Sequence, residues 1–213
     1  MKKYELTAEF IEKWGKKLFR IKALISFGSV EAGELGGYVE KEDNLAQDGD
    51  AWVYGDARVY GDAWVCGNAR VYGDAEVCGD ARVYGNAEVY GDAEVCGNAW
   101  VCGNARVCGD AEVYGNAKVC GDAEVYGNAD YLLIGRIGSR FSFTTFFKNK
   151  DKGITVSCGC FLGTIAEFRA KVTDTHGNNK HAKIYNLAAD MAELQILGEE
   201  YFDKLNTNKS EPF

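Results

Sequence analysis

The chain has 213 residues, 46% of them hydrophobic and 13% aromatic, with 24 Lys/Arg against 32 Asp/Glu and 8 cysteines. That composition supports a packed core in one or two domains, and it contains no apolar run long enough to span a bilayer. The net charge of −8 disfavours a bare nucleic-acid surface, which wants a basic stripe.

Met1-Lys2-Lys3-Tyr4-Glu5 has no apolar stretch behind its lysines, so a secretory signal is not expected and a soluble cytoplasmic protein is the default. Residues 1–48 read as a lead-in and N-terminal β cap. Tyr4-Glu5-Leu6-Thr7 has strand character. A cleaner strand covers Lys17 to Phe27, with Phe19, Ile21, Ala23, Ile25 and Phe27 at every second position. Turns follow at Gly28, Gly33 and Gly36-Gly37. Val39 and Leu45 lie six apart and in phase with Ala51, so a six-residue rhythm begins in degenerate form near Gly37.

Residues 49–131 carry that rhythm without insertion. The phrase Gly-Asp/Asn-Ala-x-Val-Tyr/Cys runs 13 times, from Gly49-Asp50-Ala51-Trp52-Val53-Tyr54 to Gly121-Asp122-Ala123-Glu124-Val125-Tyr126. A fourteenth copy, Gly127-Asn128-Ala129-Asp130-Tyr131, puts tyrosine where valine belongs and stops. Within a phrase, Ala and Val alternate with variable residues, which makes a short strand with Ala and Val on one face. Gly followed by Asp or Asn breaks the strand, because these residues tolerate the positive φ of a sharp corner. Only small residues point inward, so the interior is narrow. Three strands around a triangular prism fit, at 18 residues per coil, with coils about 4.8 Å apart.

The block resembles the hexapeptide-repeat left-handed β-helix family, whose pattern is an aliphatic residue, three turn-tolerant positions, a small residue and a free position. Val53-Tyr54-Gly55-Asp56-Ala57-Arg58 matches at the aliphatic and small positions. The left hand is implied by the resemblance, since crossover sterics alone favour the right hand. The fold expected is mainly β: about five coils, an N-terminal β cap and a C-terminal α+β domain. A fold of this kind hosts unrelated activities, so it does not choose one.

Residues 132–213 change pattern. Phe141 to Phe147 and Ile154 to Phe161 read as strands joined by a turn over Lys148 to Gly153. Thr164-Ile165-Ala166-Glu167 has capping-box form and opens a helix with Ile165, Phe168 and Val172 on one face, ending near His176-Gly177. A second helix is expected from about Lys180 to Leu197, with Tyr185, Ala188, Met191 and Leu194 at helical spacing. Asn206 to Phe213 is a polar tail. A hexapeptide β-helix between such flanks resembles proteins of bacteriophages and prophages.

Charge is unevenly placed: residues 49–131 hold 5 Lys/Arg and 14 Asp/Glu. Outward residues recur every 18 and sort into three faces. One collects Asp56, Asp74, Asp92 and Asp110 at a corner, with Arg58, Glu76, Glu94, Glu112 and Asp130 on the strand. Stacked like charges repel. The face is either a solvated, aggregation-resistant surface or an acidic docking face that imitates nucleic acid towards a basic protein partner. A calcium site has the right ligand type, yet nothing encloses an ion. The second face stacks Trp64, Arg82, Trp100 and Lys118, with Cys66, Tyr84, Cys102 and Cys120 beside them. It is either a self-stabilising cation–π ladder or an interface, and the partner could be another copy in a dimer or trimer. The third, Trp52, Arg70, Glu88, Arg106 and Glu124 with Tyr54, Tyr72 and Tyr90, reads as structure.

The family resemblance implies coenzyme A-dependent acyl transfer by a histidine base, or metal chemistry on three histidines. The repeat has no histidine, and His176 and His181 lie outside it. No enzyme, cofactor or metal is therefore expected. Cys78 and Cys96, and Cys102 and Cys120, are 18 apart and within reach of each other across coils, but reduced thiols are expected in a cytosolic chain. Cys158-Gly159-Cys160 is too short for a zinc-finger pair, and a strand there points both thiols to one face.

Overall fold

The computed structural model describes residues 2–198; the expected tail from Asn206 to Phe213 lies outside the described residues. The chain forms two compact units: one runs to Asp122 and includes Tyr126–Asn128, and the other takes Ala123–Val125 and the chain from Ala129 on. The fold is mainly β, a parallel β-helix with an N-terminal β cap in the first unit and an α+β arrangement in the second.

In the first unit, 12 two-residue strands run from Trp52–Val53 to Lys118–Val119. They stack into three parallel walls. Each strand pairs with the one 18 residues on, as Trp64 with Arg82, Arg70 with Glu88, and Glu76 with Glu94. The N–H of residue i donates to the carbonyl of residue i+17, at corners as well as walls: Asn86 to Gly103 at 2.7 Å, Glu88 to Ala105 at 2.9 Å, Tyr90 to Val107 at 3.0 Å. Backbone polar groups are thus satisfied all the way round the coil. Every Ala and Val of the 13 full copies is 0% exposed, so the prism interior is filled by two residue types. The corners require glycine. At Gly103 φ is +72°, and a Cβ there would lie 2.8 Å from the Gly121 nitrogen of the next coil.

The first coil is degenerate as expected. Val39 and Leu45 are buried and pair with Val59 and Val65, 20 residues on rather than 18. The cap is a hairpin of β1 (Tyr4–Lys13) and β2 (Lys16–Ala23), joined through β3 (Leu35–Val39) to the wall of Arg58, Glu76, Glu94 and Glu112. The expected second strand ends at Ala23. Beyond it Phe27 packs edge-on to Trp52 at 5.4 Å, and Tyr4 meets the same indole at 6.0 Å. Trp52 is therefore wholly buried under the cap, not an outward residue of its wall.

The second unit is a four-stranded antiparallel meander, Tyr131–Ile137, Ser142–Lys148, Ile154–Cys158 and Phe161–Thr164, followed by α1 (Ile165–His176) and α2 (Lys180–Leu197). The expected turn forms around Asn149, whose Oδ1 accepts from the backbone of Asp151 and Gly153. The capping box forms too: Glu167 N–H donates to Thr164 Oγ1 at 3.3 Å, and Thr164 N–H donates to Glu167 Oε2 at 2.8 Å. The sheet and helices enclose Phe146, Val156, Phe168, Tyr185, Ala189 and Ile196. Two expectations are corrected. Gly159, at φ +61°, turns the chain between two strands, so Cys158 ends one strand and Gly159-Cys160 form the hairpin turn instead of continuing it. On α2, Met191 and Leu194 are exposed at 57% and 45%, because the helix approaches the sheet through Ala182, Ala188, Ala189 and Ala192. No helix among the described residues is long and apolar enough to cross a membrane.

Candidate docking faces of the β-helix

The 18-residue sorting of outward side chains holds, because the coil length is constant over the repeat. The wall expected to be acidic is the one most altered by contacts from outside the repeat. Glu76 is 8% exposed. Its Oε1 accepts from Lys13 Nζ and from Arg58 Nη1 at 3.1 Å, and its Oε2 accepts from Tyr60 OH at 3.0 Å. Glu76 is thus a buried, neutralised carboxylate, which corrects its assignment to an open docking face. Lys13 comes from the tip of the cap hairpin, 63 residues away. Burial and the adjacent Arg58 hold its ammonium below the ordinary lysine range. Glu94 accepts from Tyr114 OH, and burial raises that phenol's pKa, with Glu94 adding to the effect. Glu112 is exposed. Asp130 falls in the second unit, where Lys148 Nζ lies 2.9 Å from its carboxylate.

The corner row is different. Among the described residues Asp56 and Asp74 have long contacts only, 3.7 Å to Arg20 and 4.0 Å to Arg58, and Asp92 and Asp110 are exposed. The acidic surface therefore lies mainly on the corner row, with Glu112 exposed beside it. A second corner solves the same geometry with three asparagines in a row. There Asn68 donates to Asn86 at 3.1 Å, Asn86 to Asn104 at 3.1 Å, and Asn104 to Asp122 at 2.9 Å.

The second wall brings Trp64, Arg82, Trp100 and Lys118 into one column. Arg82 lies 5.4 Å from the Trp100 ring centre and Lys118 4.6 Å, with Tyr84 edge-on at 6.3 Å. Both cations come from the coils flanking Trp100, so its faces are spent within the ladder. Trp64, 42% exposed, keeps more of its surface. A recess of about 360 Å³ runs beside the column, lined by Asp80, Arg82, Asn98, Trp100, Asn116 and Lys118. The third wall is a salt-bridged row, with Glu88 3.8 Å from Arg70 and 3.5 Å from Arg106, beside Tyr72 and Tyr90 stacked at 4.8 Å.

Two disulfides cross-link adjacent coils, Cys78–Cys96 and Cys102–Cys120, each with Cα atoms 4.6 Å apart. This overturns the expectation of reduced thiols: the spacing between stacked coils sets each sulfur within bonding reach of its neighbour. Cys66, Cys108, Cys158 and Cys160 are outside any disulfide.

Sequence reasoning missed the tip of the cap hairpin. Trp14 is 82% exposed and holds φ +52°, followed by Gly15 at +74°. A bulky residue in the left-handed region is strained, and nothing in the local sequence except Gly15 signals a turn. Residues 51–67 and 63–79 match the YdcK beta solenoid repeat family, so the family likeness rests on the repeat itself. No curated protein matches the chain.

Proposed function

We propose that this chain is a non-enzymatic interaction protein of phage or prophage type, acting in a bacterial cytoplasm. In this reading the β-helix presents an acidic corner and a Trp/Arg wall to a protein partner with a basic surface. One contrast carries the reading. Two corners of the same coil have the same backbone: Asn86 N–H donates to Gly103 and Asp92 N–H to Gly109. One corner is mostly Asn and gains a hydrogen bond per coil; the other is Asp56, Asp74, Asp92 and Asp110 and gains repulsion. A corner needed only for structure has the Asn solution available in the same chain.

Charge density supports nucleic-acid imitation. With 14 acidic and 5 basic residues in 49–131, and Glu76 and Asp130 paired to Lys13 and Lys148 from outside that span, roughly 24 Å of stacked coils carry about one net charge per 3.4 Å, against roughly 1.7 Å for duplex DNA. The concrete version is occupation of the basic groove of a host nucleic-acid-handling or defence protein. The test immobilises the whole protein and the triple variant Asp74→Asn/Asp92→Asn/Asp110→Asn and exposes both to host lysate. Wild type is expected to capture a basic protein that a short DNA duplex displaces, and the variant is expected to lose it. Equal capture by both refutes the reading. Self-association through Trp64 is the second reading, favoured by its exposure; light scattering that finds a monomer at high concentration removes it.

A further inference from the structure

The second unit contains a cavity of about 430 Å³ that the docking reading does not use. Its wall is apolar and aromatic: Phe161, Phe168, Val172 and Tyr185. Phe168 anchors these rings, meeting Phe161 at 5.7 Å and Tyr185 edge-on at 5.6 Å, while His176 stacks on the other part of Tyr185 at 5.8 Å. These rings are held by the sheet and both helices, so the wall is preformed. A cleft of this size, apolar with a few convergent polar groups, is the ordinary form of a small-molecule site.

The permanent charges at the mouth have one sign. Arg140 and Lys171 line the cavity beside the neutral Ser139, Ser142 and Thr175, and no carboxylate does among the described residues. Lys171 is held by Asp174 at 3.0 Å. Arg140 has no ion-pair or hydrogen-bond partner among the described residues, and it acts electrostatically on the Tyr185 hydroxyl. That hydroxyl sits over Gly138, where any Cβ would collide with it. Burial and the neighbouring Cys158 push the phenol up to about 12, so it stays a neutral donor at physiological pH. Cys158 Sγ itself accepts from Thr144 Oγ1 at 3.2 Å, which fixes the thiol in the cavity wall.

We propose that this cavity binds a small aryl carboxylate, its ring against Phe161, Phe168 and Val172 and its carboxylate on the Arg140 guanidinium. Aromatic walls favour an aromatic body through edge-to-face contacts. A guanidinium without a partner favours a planar two-oxygen anion, which it can hold through two parallel hydrogen bonds. At about 30 Å³ per water the volume takes roughly 14 water-sized groups, which limits the ligand to about one ring and a short chain.

The test uses the full chain and two probes of equal shape, 3-phenylpropionate and the neutral 3-phenylpropanol, titrated by calorimetry. The acid is expected to bind saturably and about tenfold more tightly than the alcohol. Arg140→Gln, an exposed position, is expected to lower the acid to the level of the alcohol and leave the alcohol unchanged. Thr175→Trp, at the rim, is expected to block both. Methyl resonances of Val172 are expected to shift on binding while the repeat valines do not. Absence of saturable binding at millimolar probe, equal affinity of acid and alcohol, or indifference to Arg140→Gln overturns the proposal. None of these outcomes depends on the β-helix docking faces.

Discussion

Replacing Glu76 by Lys tests whether the cap and the first wall are held by one buried carboxylate. In the native protein Glu76 receives two cations, Lys13 and Arg58, and the Tyr60 hydroxyl. The side chain is 10% exposed, against 26% for Lys13 and 24% for Arg58. Removing one partner of such a pair leaves the others desolvated and uncompensated, which costs about 3–5 kcal/mol. Reversal adds a third cation to the site and belongs at the upper end of that range. At about 2–4 °C per kcal/mol for a chain of this length, the melting temperature falls by roughly 6–20 °C. Glu76→Gln keeps an acceptor for Tyr60 and is expected to lose less, about 1.5–3 kcal/mol. Glu5→Lys, at an exposed position of β1, sets the baseline near zero. The assay is thermal and urea unfolding followed by circular dichroism, with hydrogen exchange of the amides of β1 and of the Arg58 and Glu76 strands. The double variant Lys13→Met/Glu76→Met should recover part of the loss, since Lys13 is no longer stranded while Arg58 keeps Asp74 at 4.0 Å. A Glu76→Lys protein melting within 2 °C of wild type would refute the reasoning.

The tip of the cap is expected to stabilise on substitution. Trp14 and Gly15 both hold positive φ, the form of two-residue turn that Asn-Gly fits best, so Trp14→Asn should raise stability by about 1 kcal/mol; an unchanged or lower melting temperature counts against the strain. The disulfides each close a loop of 18 residues, and reduction should cost about 3 kcal/mol per bridge. Thiol titration of the denatured, unreduced protein should find four thiols, and eight would refute the bridges. Lys3 is 2% exposed, and its ammonium is lowered to about 8 by burial, against the pull of Asp48 and Asp50. A folded pKa below the unfolded one means the unfolded chain binds more protons between the two values, so stability rises as pH goes from about 8 towards 10. Above 10 the phenols of Tyr4, raised chiefly by burial, and Tyr90, raised chiefly by its hydrogen bond with Cys108, reverse the slope. Lys3→Met should flatten the first limb, and a protein whose stability falls steadily from pH 8 to 10 contradicts the assignment.

The β-helix was legible because a single rule is repeated. Six residues set one strand and one corner, and three such units close a coil, so position modulo 18 assigns every outward residue to its face. Glu76 shows where that rule stops. Its neighbours on the wall are predictable, but its main neutralising partner, Lys13, arrives from a hairpin with no periodicity and an atypical Trp-Gly turn. The disulfides fail for another reason. Spacing puts Cys78 within reach of Cys96, but reach alone does not set the oxidation state of a thiol pair, which depends on the compartment. On α2 the error is one of size. Tyr185, Ala188, Met191 and Leu194 share helical spacing, but a helix that packs closely does so through its smallest residues, and the large ones are left outside. The cavity by Arg140 leaves no mark in the sequence, because it is built from four separated segments.

The acidic corner offers the sharpest separation between structure and function. Asp92 lies between Asp74 and Asp110, one coil away on either side. Two unit charges about 5 Å apart repel by about 0.8 kcal/mol in water, so Asp92→Asn removes two such terms. It can also gain a bond of the kind Asn104 makes to Asp122 at 2.9 Å. The variant should therefore be more stable than wild type by about 1 kcal/mol or more at low salt. The repulsive part should vanish near 1 M salt, where screening acts within about 3 Å. If the corner exists to hold charge for a partner, the same variant binds that partner less well, the trade between stability and activity seen where a site is kept strained. A gain in stability with undiminished binding would mean that the aspartates are a solvation device and that docking lies elsewhere. A loss of stability would mean that the carboxylates have a structural counter-charge, and the contrast between the two corners would no longer argue for function.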